Sequence, residues 1–328
     1  MYMAVTLVFT GTFSDLEKTS PATLFNGEVV RCSTQERAHH LHNLCLTQEL
    51  STTSLKPKDF DSGIFVDAAH KVVVCIPAKS ACTTFKSLLI TNSPRFKKQT
   101  HHRNVSSVHD VQVLNRFGIR SLNTFNKSEI DQILQTFTKV MVVRHPLERV
   151  FSSYREKLTN SSRKCTSYMH RLGRKIVRAI RGQEVECGDD VTFEEFMTYI
   201  ASDSFYVRRD SHWKPMDIVC QPCHINYDHV LRLETGQSDV KFFVEDILKE
   251  FSSRDDRKNV RVTINDETLA RNNFQQLRTE FAKIPRKTLQ AVESYYSRSM
   301  HLFGYDAVVT SNGLMTSCRY DDKERTCC

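Results

Sequence analysis

A segment beginning at Pro77 combines a lysine, three hydroxyl side chains and the expected start of a helix. It reads PAKSACTTFK over residues 77–86. Backbone N–H groups at a helix start favour an anion, and a lysine with neighbouring hydroxyls can complete a cradle for phosphate or sulfate. A Walker A loop would require glycines, but none occurs between Gly63 and Gly118, which disfavours an ordinary P-loop kinase or GTPase. The alternative is a loop with a purely structural role.

A second segment, VRHPLERVFSSYR at residues 143–155, combines an arginine with a hydroxyl eight residues later. Arg144 directly follows an apolar run, and Ser152 falls about two turns into the helix expected to follow. An arginine fork and a hydroxyl at this separation can hold a second phosphate group. The alternative is a surface helix whose charged side chains satisfy one another. Those side chains are Glu148, Arg149, Arg155 and Glu156.

Both segments follow short apolar runs that are typical of buried parallel strands. The runs cover residues 71–76 and 140–143 and are rich in valine. A helix is predicted between them over 129–137, with Ser128 as its N-cap. Two strand–loop–helix units with a helical crossover predict an α/β fold with a central parallel sheet flanked by helices. Further elements are predicted as a strand over 228–234 and as helices over 85–90, from 146, from 193, and over 240–251, 266–282 and 285–300. Thr192 is predicted as the N-cap of the helix from 193.

The composition is that of a globular protein with an excess of positive charge. Of the 328 residues, 40% are hydrophobic and 26% are charged, which excludes a mostly disordered chain. Lys and Arg number 46 against 38 Asp and Glu, a net charge of +8. This excess favours anionic partners, whether nucleic acid, phosphorylated cofactors, acidic glycans or anionic membranes, without choosing among them.

Together the two segments resemble the two nucleotide-binding motifs of sulfotransferases. Residues 79–86 resemble the loop that binds the 5′-phosphosulfate group, and residues 144–155 resemble the 3′-phosphate motif. With further blocks, the chain resembles the carbohydrate sulfotransferases that act on chondroitin, dermatan and the related glucuronyl epitope of glycoproteins. Those blocks are HWKPMDIVCQPC at 212–223, YD at 227–228, ET at 234–235 and LFGY at 302–305.

The resemblance implies a P-loop-like sulfotransferase fold. It also implies an enzyme that transfers a sulfuryl group from 3′-phosphoadenosine 5′-phosphosulfate to a hydroxyl of a chondroitin-type glycan. It implies that Lys79 contacts the reacting group, and that Arg144 and Ser152 hold the 3′-phosphate. The loop residues implied to bind the donor beside Lys79 are Ser80, Ala81, Cys82, Thr83 and Thr84. No metal and no nucleic acid are required. Two alternatives stay open: a nucleotide phosphotransferase with a divergent phosphate loop, and a non-catalytic glycan-binding relative.

Two histidines are candidates for the general base that takes the proton of the acceptor hydroxyl. His109 falls between the two nucleotide motifs, and His212 stands beside Trp213, whose ring would offer a stacking surface to a sugar. Each histidine has the alternative of a hydrogen-bonded structural residue. Asp217 and Glu234 are further options for the base, and both could equally be structural.

A strongly basic stretch follows the second segment. Residues 163–181 contain no Asp or Glu, and we expect this stretch to border the same cleft and attract an acidic glycan. The alternative is a solvated helix face. The basic residues are Arg163, Lys164, Arg171, Arg174, Lys175, Arg178 and Arg181. Of these, Arg171, Arg174, Lys175 and Arg178 are predicted to contact the glycan.

The chain has 11 cysteines, and only Cys220 and Cys223 have a CxxC spacing. A zinc site would need a second such pair, and a redox pair should open a helix at a strand end. We therefore predict structural disulfides, in which the two cysteines can have partners other than each other.

The expected organisation is an N-terminal extension over 1–60, a catalytic domain over 61–310 and a C-terminal tail over 311–328. The extension is polar from residue 14 and is predicted to be poorly ordered or the remnant of a membrane anchor. The chain contains no run of about 18 apolar residues. The resemblance implies a Golgi-lumen enzyme, associated with the membrane through such an anchor. Sequons at Asn104, Asn126 and Asn160 permit a secretory location.

Overall fold

The computed structural model describes residues 33–46, 55–98, 108–159, 168–202, 210–235, 237–249, 276–310 and 313–318. Several features of the sequence lie outside these residues. They are the N-terminal apolar segment 1–13, Arg163, Lys164, the sequons at Asn104 and Asn160, the first part of the helix predicted over 266–282, and most of the C-terminal tail.

Strands in the described residues form a five-stranded sheet and a two-stranded sheet. The larger sheet contains β1 (Ile64–Asp67), β2 (Val72–Cys75), β3 (Ile119–Ser121), β4 (Thr138–Val143) and β5 (His229–Arg232). The smaller sheet is an antiparallel pair of β6 (Tyr305–Thr310) and β7 (Gly313–Cys318).

Helices flank the larger sheet. In chain order they are α1 (Thr34–Leu46), α2 (Cys82–Asn92), α3 (Pro94–Lys97), α4 (Val111–Arg116), α5 (Lys127–Thr136), α6 (Pro146–Leu158), α7 (Tyr168–Arg181), α8 (Phe193–Ala201), α9 (Met216–Cys220), α10 (Gln237–Phe242), α11 (276–281) and α12 (Arg286–Leu302). Short 3₁₀ turns cover Pro57–Asp59, Leu122–Thr124 and Leu233–Thr235, and a π turn over Phe243–Ile247 continues α10.

The larger sheet has the strand order β3-β1-β2-β4-β5. β4 pairs in parallel with both β2 and β5, which confirms the predicted α/β fold with a parallel core. β1 runs antiparallel to β2 and β3, an edge that the sequence analysis missed. Only residues 68–71 separate β1 from β2, and so short a connection can join only antiparallel neighbours.

Side chains alternate across the sheet and build one apolar layer on each face. Val73 and Met141 point into the layer covered by α6, α8 and α12, whereas Val74 and Val142 point into the layer covered by α2 and α4. Valine-rich strands that are buried on both faces are expected where helices cover a parallel sheet from both sides. The sheet therefore fixes the positions of the loops that leave the ends of β2 and β4.

Helix caps explain where two helices begin. Thr192 caps α8 as predicted, with Glu195 completing a capping box. The predicted cap of α5 was wrong, because Asn126 rather than Ser128 accepts from the Glu129 N–H at 2.9 Å. Asn126 thus starts this helix two residues earlier than the apolar periodicity indicates.

Part of the predicted N-terminal extension is a helix of the fold. α1 packs on β5, and its buried Arg37 donates to Asp239 Oδ2 at 2.6 Å and to the Val230 carbonyl at 2.9 Å. Thr34 Oγ1 and His229 Nδ1 are 3.0 Å apart. The prediction of poor order therefore does not apply to residues 34–46, whose partners lie about two hundred residues further along the chain.

Two disulfides attach the segment around α9 to distant elements. Cys220 pairs with Cys75 at the end of β2, and Cys223 pairs with Cys45 in α1. This confirms the prediction of structural disulfides with partners other than each other, and it excludes a zinc or redox site at the CxxC spacing. Within the described part of the chain, Cys82 is a free thiol. The same residues contain no cluster of metal-ligating side chains and no helix long and apolar enough to span a bilayer.

Candidate active site

The two segments singled out in the sequence meet at one edge of the sheet. The first leaves β2 and the second leaves β4, and the carboxyl ends of adjacent parallel strands share an edge. Arg144 Nη1 donates to the Lys79 carbonyl at 3.1 Å, which joins the two loops directly. Residues 65 positions apart in sequence therefore face one space.

The first loop has the backbone of an anion cradle without glycine. Lys79 and Ala81 adopt left-handed conformations, with φ of 68° and 54°, where a Walker loop would use glycines. Backbone that alternates in this way aims successive N–H groups at an anion. α2 begins at Cys82, and no side chain caps its N–H groups. These amides are available to a phosphate or sulfate group.

The three hydroxyl side chains of the first loop differ in their exposure to solvent. Ser80 is fully buried, and its Oγ lies against Met216 Sδ at 3.9 Å, so its side chain belongs to the packing under the loop. Thr83 is exposed and Thr84 is half-buried. Of the three hydroxyls implied by the resemblance, the two threonines therefore remain side-chain candidates for donor contacts, and Ser80 contributes only backbone.

Glu234 anchors the start of the second loop. Its Oε1 accepts from the His145 N–H at 2.6 Å, and its Oε2 accepts from the Tyr305 hydroxyl at 2.9 Å. Both carboxylate oxygens are engaged, and the role is structural, so Glu234 is not a good candidate for the general base. Asp217 likewise accepts from the Ser299 hydroxyl and lies near Arg298.

Arg149 connects three segments of the site from the protein interior. Its side chain is fully buried, and its Nε donates to the Ala78 carbonyl at 2.7 Å. Its Nη1 and Nη2 donate to the carbonyls of Lys214 and Ser211 at 2.6 and 2.8 Å. This contradicts the alternative of a surface helix with mutually satisfied charges, because Arg149 ties α6 to the first loop and to the segment that carries His212.

Glu156 lies near the C-terminal end of α6, between two lysines. Its Oε2 contacts Lys79 Nζ, and its Oε1 is 2.8 Å from Lys157 Nζ. Burial alone would raise the pKa of Glu156, but the hydrogen bonds from Lys157 and Lys79 outweigh it and lower the pKa to about 2. Sequence analysis missed this contact, although Glu156 follows Ser152 by four residues and thus shares its face of the helix.

The two candidate bases, His109 and His212, lie close enough for the charge of His212 to affect the pKa of His109. His109 Nε2 is 3.0 Å from Thr83 Oγ1, which links it to the first loop. Burial, followed by the positive charge of Lys86, lowers the pKa of His109, and His212 contributes in the same direction. His109 is therefore neutral at physiological pH and able to accept a proton. His212 Nδ1 lies 2.7 Å from Asp210 Oδ1, a contact that fixes the orientation of its ring.

Lys86 extends the positive charge of the first loop along α2. Its Nζ lies 4.7 Å from the centre of the Phe65 ring, and burial lowers its pKa. A lysine held against an aromatic ring in this way stays near the loop. Its positive charge is close enough to His109 to lower the pKa of that histidine.

Trp213 does not have the role that its sequence position predicts. Its side chain is 1% exposed, and its ring packs edge-on to Phe196 at 5.4 Å. A ring enclosed by the core has no face for a sugar, so the predicted stacking surface is wrong. Trp213 instead fixes the backbone beside His212, where its carbonyl accepts from the buried Tyr296 hydroxyl.

The basic helix α7 packs against α6 and α8, and much of its charge is paired locally. Arg178 donates to Glu184 Oε2 at 2.6 Å, and Arg174 donates to the Glu186 carbonyl at 2.9 Å. Arg181 pairs with both Asp190 and Glu195. Analysis of 163–181 alone missed these acids because they begin three residues after the stretch ends. Arg171 and Lys175 are exposed.

Comparison with known proteins gives one family. The sequence model of the Sulfotransferase family matches residues 62–306. Carbohydrate sulfotransferase 11 of Mus musculus is 32% identical over 58% of this chain and 54% of its own length. Carbohydrate sulfotransferase 8 of Homo sapiens is 30% identical over 65% and 49%, and carbohydrate sulfotransferase 10 of Xenopus laevis is 24% identical over 83% and 76%. The chain thus spans about half the length of the first two relatives. No solved structure matches it.

Proposed function

The chain belongs to the sulfotransferase family, and on that premise we propose that it transfers a sulfuryl group from 3′-phosphoadenosine 5′-phosphosulfate to a sugar hydroxyl. The observation that carries this proposal is the junction of the two loops, where Arg144 donates to the Lys79 carbonyl. A donor with phosphate groups at both its 5′ and 3′ positions needs two anion sites at a fixed separation. The ends of β2 and β4 supply two such loops side by side.

The residues present fit such a donor. The left-handed backbone at Lys79 and Ala81 and the uncapped start of α2 form a cradle for the 5′-phosphosulfate group. Arg144 and Ser152 stand on the neighbouring loop and helix as contacts for the 3′-phosphate, a group that distinguishes this donor from ATP. Bound there, the donor supplies the activated sulfuryl group.

The protein's own groups have to position the reactants and manage charge. During transfer the acceptor oxygen bonds to sulfur while the bond from sulfur to the 5′-phosphate oxygen breaks, and adenosine 3′,5′-bisphosphate leaves. Lys79 stabilises the negative charge that grows on the leaving phosphate. The acceptor proton passes to His109 or His212, of which His109 is joined to the first loop through Thr83.

We propose an acidic, chondroitin-type glycan as the acceptor. Three relatives are named as carbohydrate sulfotransferases. The exposed Arg171 and Lys175 lie on α7, and the packing of α7 against α6, the helix of the second loop, supports the proposal that their charge attracts the acceptor. A polyanionic chain would be attracted to that potential.

A Golgi-lumen location is part of the proposal. The disulfides Cys45–Cys223 and Cys75–Cys220 support an oxidising compartment. The sequon at Asn126 is exposed. In secreting cells, Ser128→Ala should remove an endoglycosidase-sensitive mass shift while keeping Asn126 as the helix cap. A chain whose cysteines are reduced in the cell would argue against this location.

The function is tested with the purified chain, chondroitin and donor labelled in the sulfuryl group. We expect label to reach the glycan, and Lys79→Ala to abolish transfer while leaving the unfolding midpoint nearly unchanged. Disaccharide analysis then identifies the sugar and the position that is sulfated. Transfer of phosphate from ATP would instead indicate a phosphotransferase. Glycan binding without transfer of either group would indicate a non-catalytic relative.

A further inference from the structure

The face of α6 that carries Ser152, a proposed contact of the donor, also presents a carboxylate. Ser152 and Glu156 are four residues apart and share this face. The Glu156 side chain is 46% exposed, whereas those of Lys79 and Lys157, which it contacts, are 14% and 13% exposed. A negative charge at a phosphate site opposes donor binding, so a carboxylate there calls for a role in the donor-free protein.

The contacts of Glu156 indicate what that role is. One carboxylate oxygen contacts the Lys79 ammonium, and the other lies 2.8 Å from Lys157 Nζ. Lys79 can therefore turn from Glu156 to an incoming phosphate while Lys157 continues to neutralise the carboxylate. The pKa of about 2 keeps Glu156 ionised throughout the physiological range, so displacement by the donor rather than protonation has to release the lysine.

We propose that Glu156 is a positioning residue that holds the Lys79 ammonium in the donor-free enzyme and yields it to the donor phosphate. The inference rests on the proposed function. It makes donor binding an exchange of one anionic partner of Lys79 for another. Glu156 thereby lowers donor affinity through Lys79, and it keeps the flexible lysine beside the loop in which it acts.

A double-mutant cycle isolates this role. The affinity for adenosine 3′,5′-bisphosphate is measured by calorimetry for the parent chain, Glu156→Gln, Lys79→Met and the double variant. Glu156→Gln keeps the shape of the side chain and removes its charge. We expect it to tighten binding about fivefold in the parent background, an effect typical of a half-exposed ion pair. In the Lys79→Met background the same substitution should change affinity by less than about twofold, because the competing contact is already lost.

A matched control separates this contact from simple repulsion. Glu194→Gln removes the same charge from an exposed position on α8 and should leave nucleotide affinity unchanged. If Glu156→Gln tightens binding equally with and without Lys79, the carboxylate merely repels the nucleotide and the inference is wrong. Weaker binding by Glu156→Gln in the parent background would also overturn it. Unfolding curves establish that each variant is folded.

The outcome for the proposed function is read separately. Failure of the folded parent chain to bind the bisphosphate would overturn the proposed donor, and the inference with it. Normal binding and sulfuryl transfer by the parent, together with additive effects of the two substitutions, would overturn only the role of Glu156.

Discussion

Two positively charged regions of this protein use their charge in opposite ways. At the loop edge of the sheet, Arg144 and Arg149 reach main-chain carbonyls that lie 62 to 71 residues away in sequence. On α7, Arg178 and Arg181 pair with acids only 6 to 14 residues away. The arginines of the first region hold distant segments together, whereas Arg178 and Arg181 on α7 are neutralised by nearby acids.

The difference shows which cations can form a site. A local ion pair on the surface contributes little and forms wherever sequence neighbours allow it. An arginine that spans distant segments is satisfied only when those segments come together, so it fixes the geometry of whatever lies between them. Counting charges in a window of sequence treats both kinds alike, whereas the fold separates them.

The largest effect should come from the buried arginine. Arg149→Met leaves the carbonyls of Ala78, Ser211 and Lys214 without their donor, so we expect a loss of about 3–5 kcal/mol in the free energy of unfolding. Chemical denaturation measures it. Arg155→Met, an exposed substitution on the same helix, should change stability by about 0.5 kcal/mol or less. Equal losses in the two variants would mean that the contrast between buried and exposed arginines has no energetic basis.

Arg144 tests the contrast at the level of binding. Arg144→Ala removes a charge-assisted contact proposed for the 3′-phosphate, and it should weaken binding of adenosine 3′,5′-bisphosphate by about 1.5–3 kcal/mol, roughly 10- to 150-fold. Calorimetry measures this change. Arg178→Ala, which removes the same charge from α7, should leave nucleotide affinity nearly unchanged. An unchanged affinity in the Arg144 variant would contradict its assignment.

The pH dependence of kcat/KM should respond to the charge near His109 and not to the charge on α7. If His109 is the base, it must be neutral to act, so kcat/KM falls as the pH drops through its pKa. Burial and the charge of Lys86 lower this pKa, so the acid limb should lie below the ordinary histidine value of about 6.5. Lys86→Gln should move the limb to higher pH, whereas Lys175→Gln on α7 should not move it. A limb that persists in His109→Gln would favour His212.

Local patterns were sufficient to predict much of the frame of the site. Valine-rich runs gave the positions of β2 and β4, and Thr192 marked the start of α8, because strand burial and helix capping depend on neighbours in sequence. From these the edge shared by the two loops followed. What could not be predicted depends on partners far along the chain, such as Asp239 for Arg37 in α1.

The same reason explains the errors within the site. Trp213 beside His212 suggests a sugar platform, but its burial depends on α8. Glu156 beside Arg155 suggests a purely local ion pair, but besides the adjacent Lys157 it contacts Lys79, 77 residues earlier. Residue type and spacing thus predict which chemistry is present, whereas long-range packing decides which side chains take part in it.

The smallest effect is expected on α7, where exposed and paired arginines should contribute differently to glycan binding. Arg171 is exposed on a helix that packs against α6, whereas Arg178 pairs with Glu184. We therefore expect Arg171→Gln to raise the apparent KM for chondroitin by roughly twofold and to leave the KM for the donor unchanged.

The matched variant, Arg178→Gln, removes the same charge from the same helix. It should change the glycan KM less, because the pairing of Arg178 with Glu184 limits the reach of its guanidinium toward a glycan. Added salt should weaken glycan binding by the parent chain and reduce the difference in KM between the two variants, since exposed charges are screened within about 10 Å at 0.1 M. Identical KM values at low salt would mean that α7 attracts the glycan only through its overall charge. No change in either variant would mean that α7 is a solvated helix face, and the acceptor would then have to be recognised by residues nearer His109 and His212.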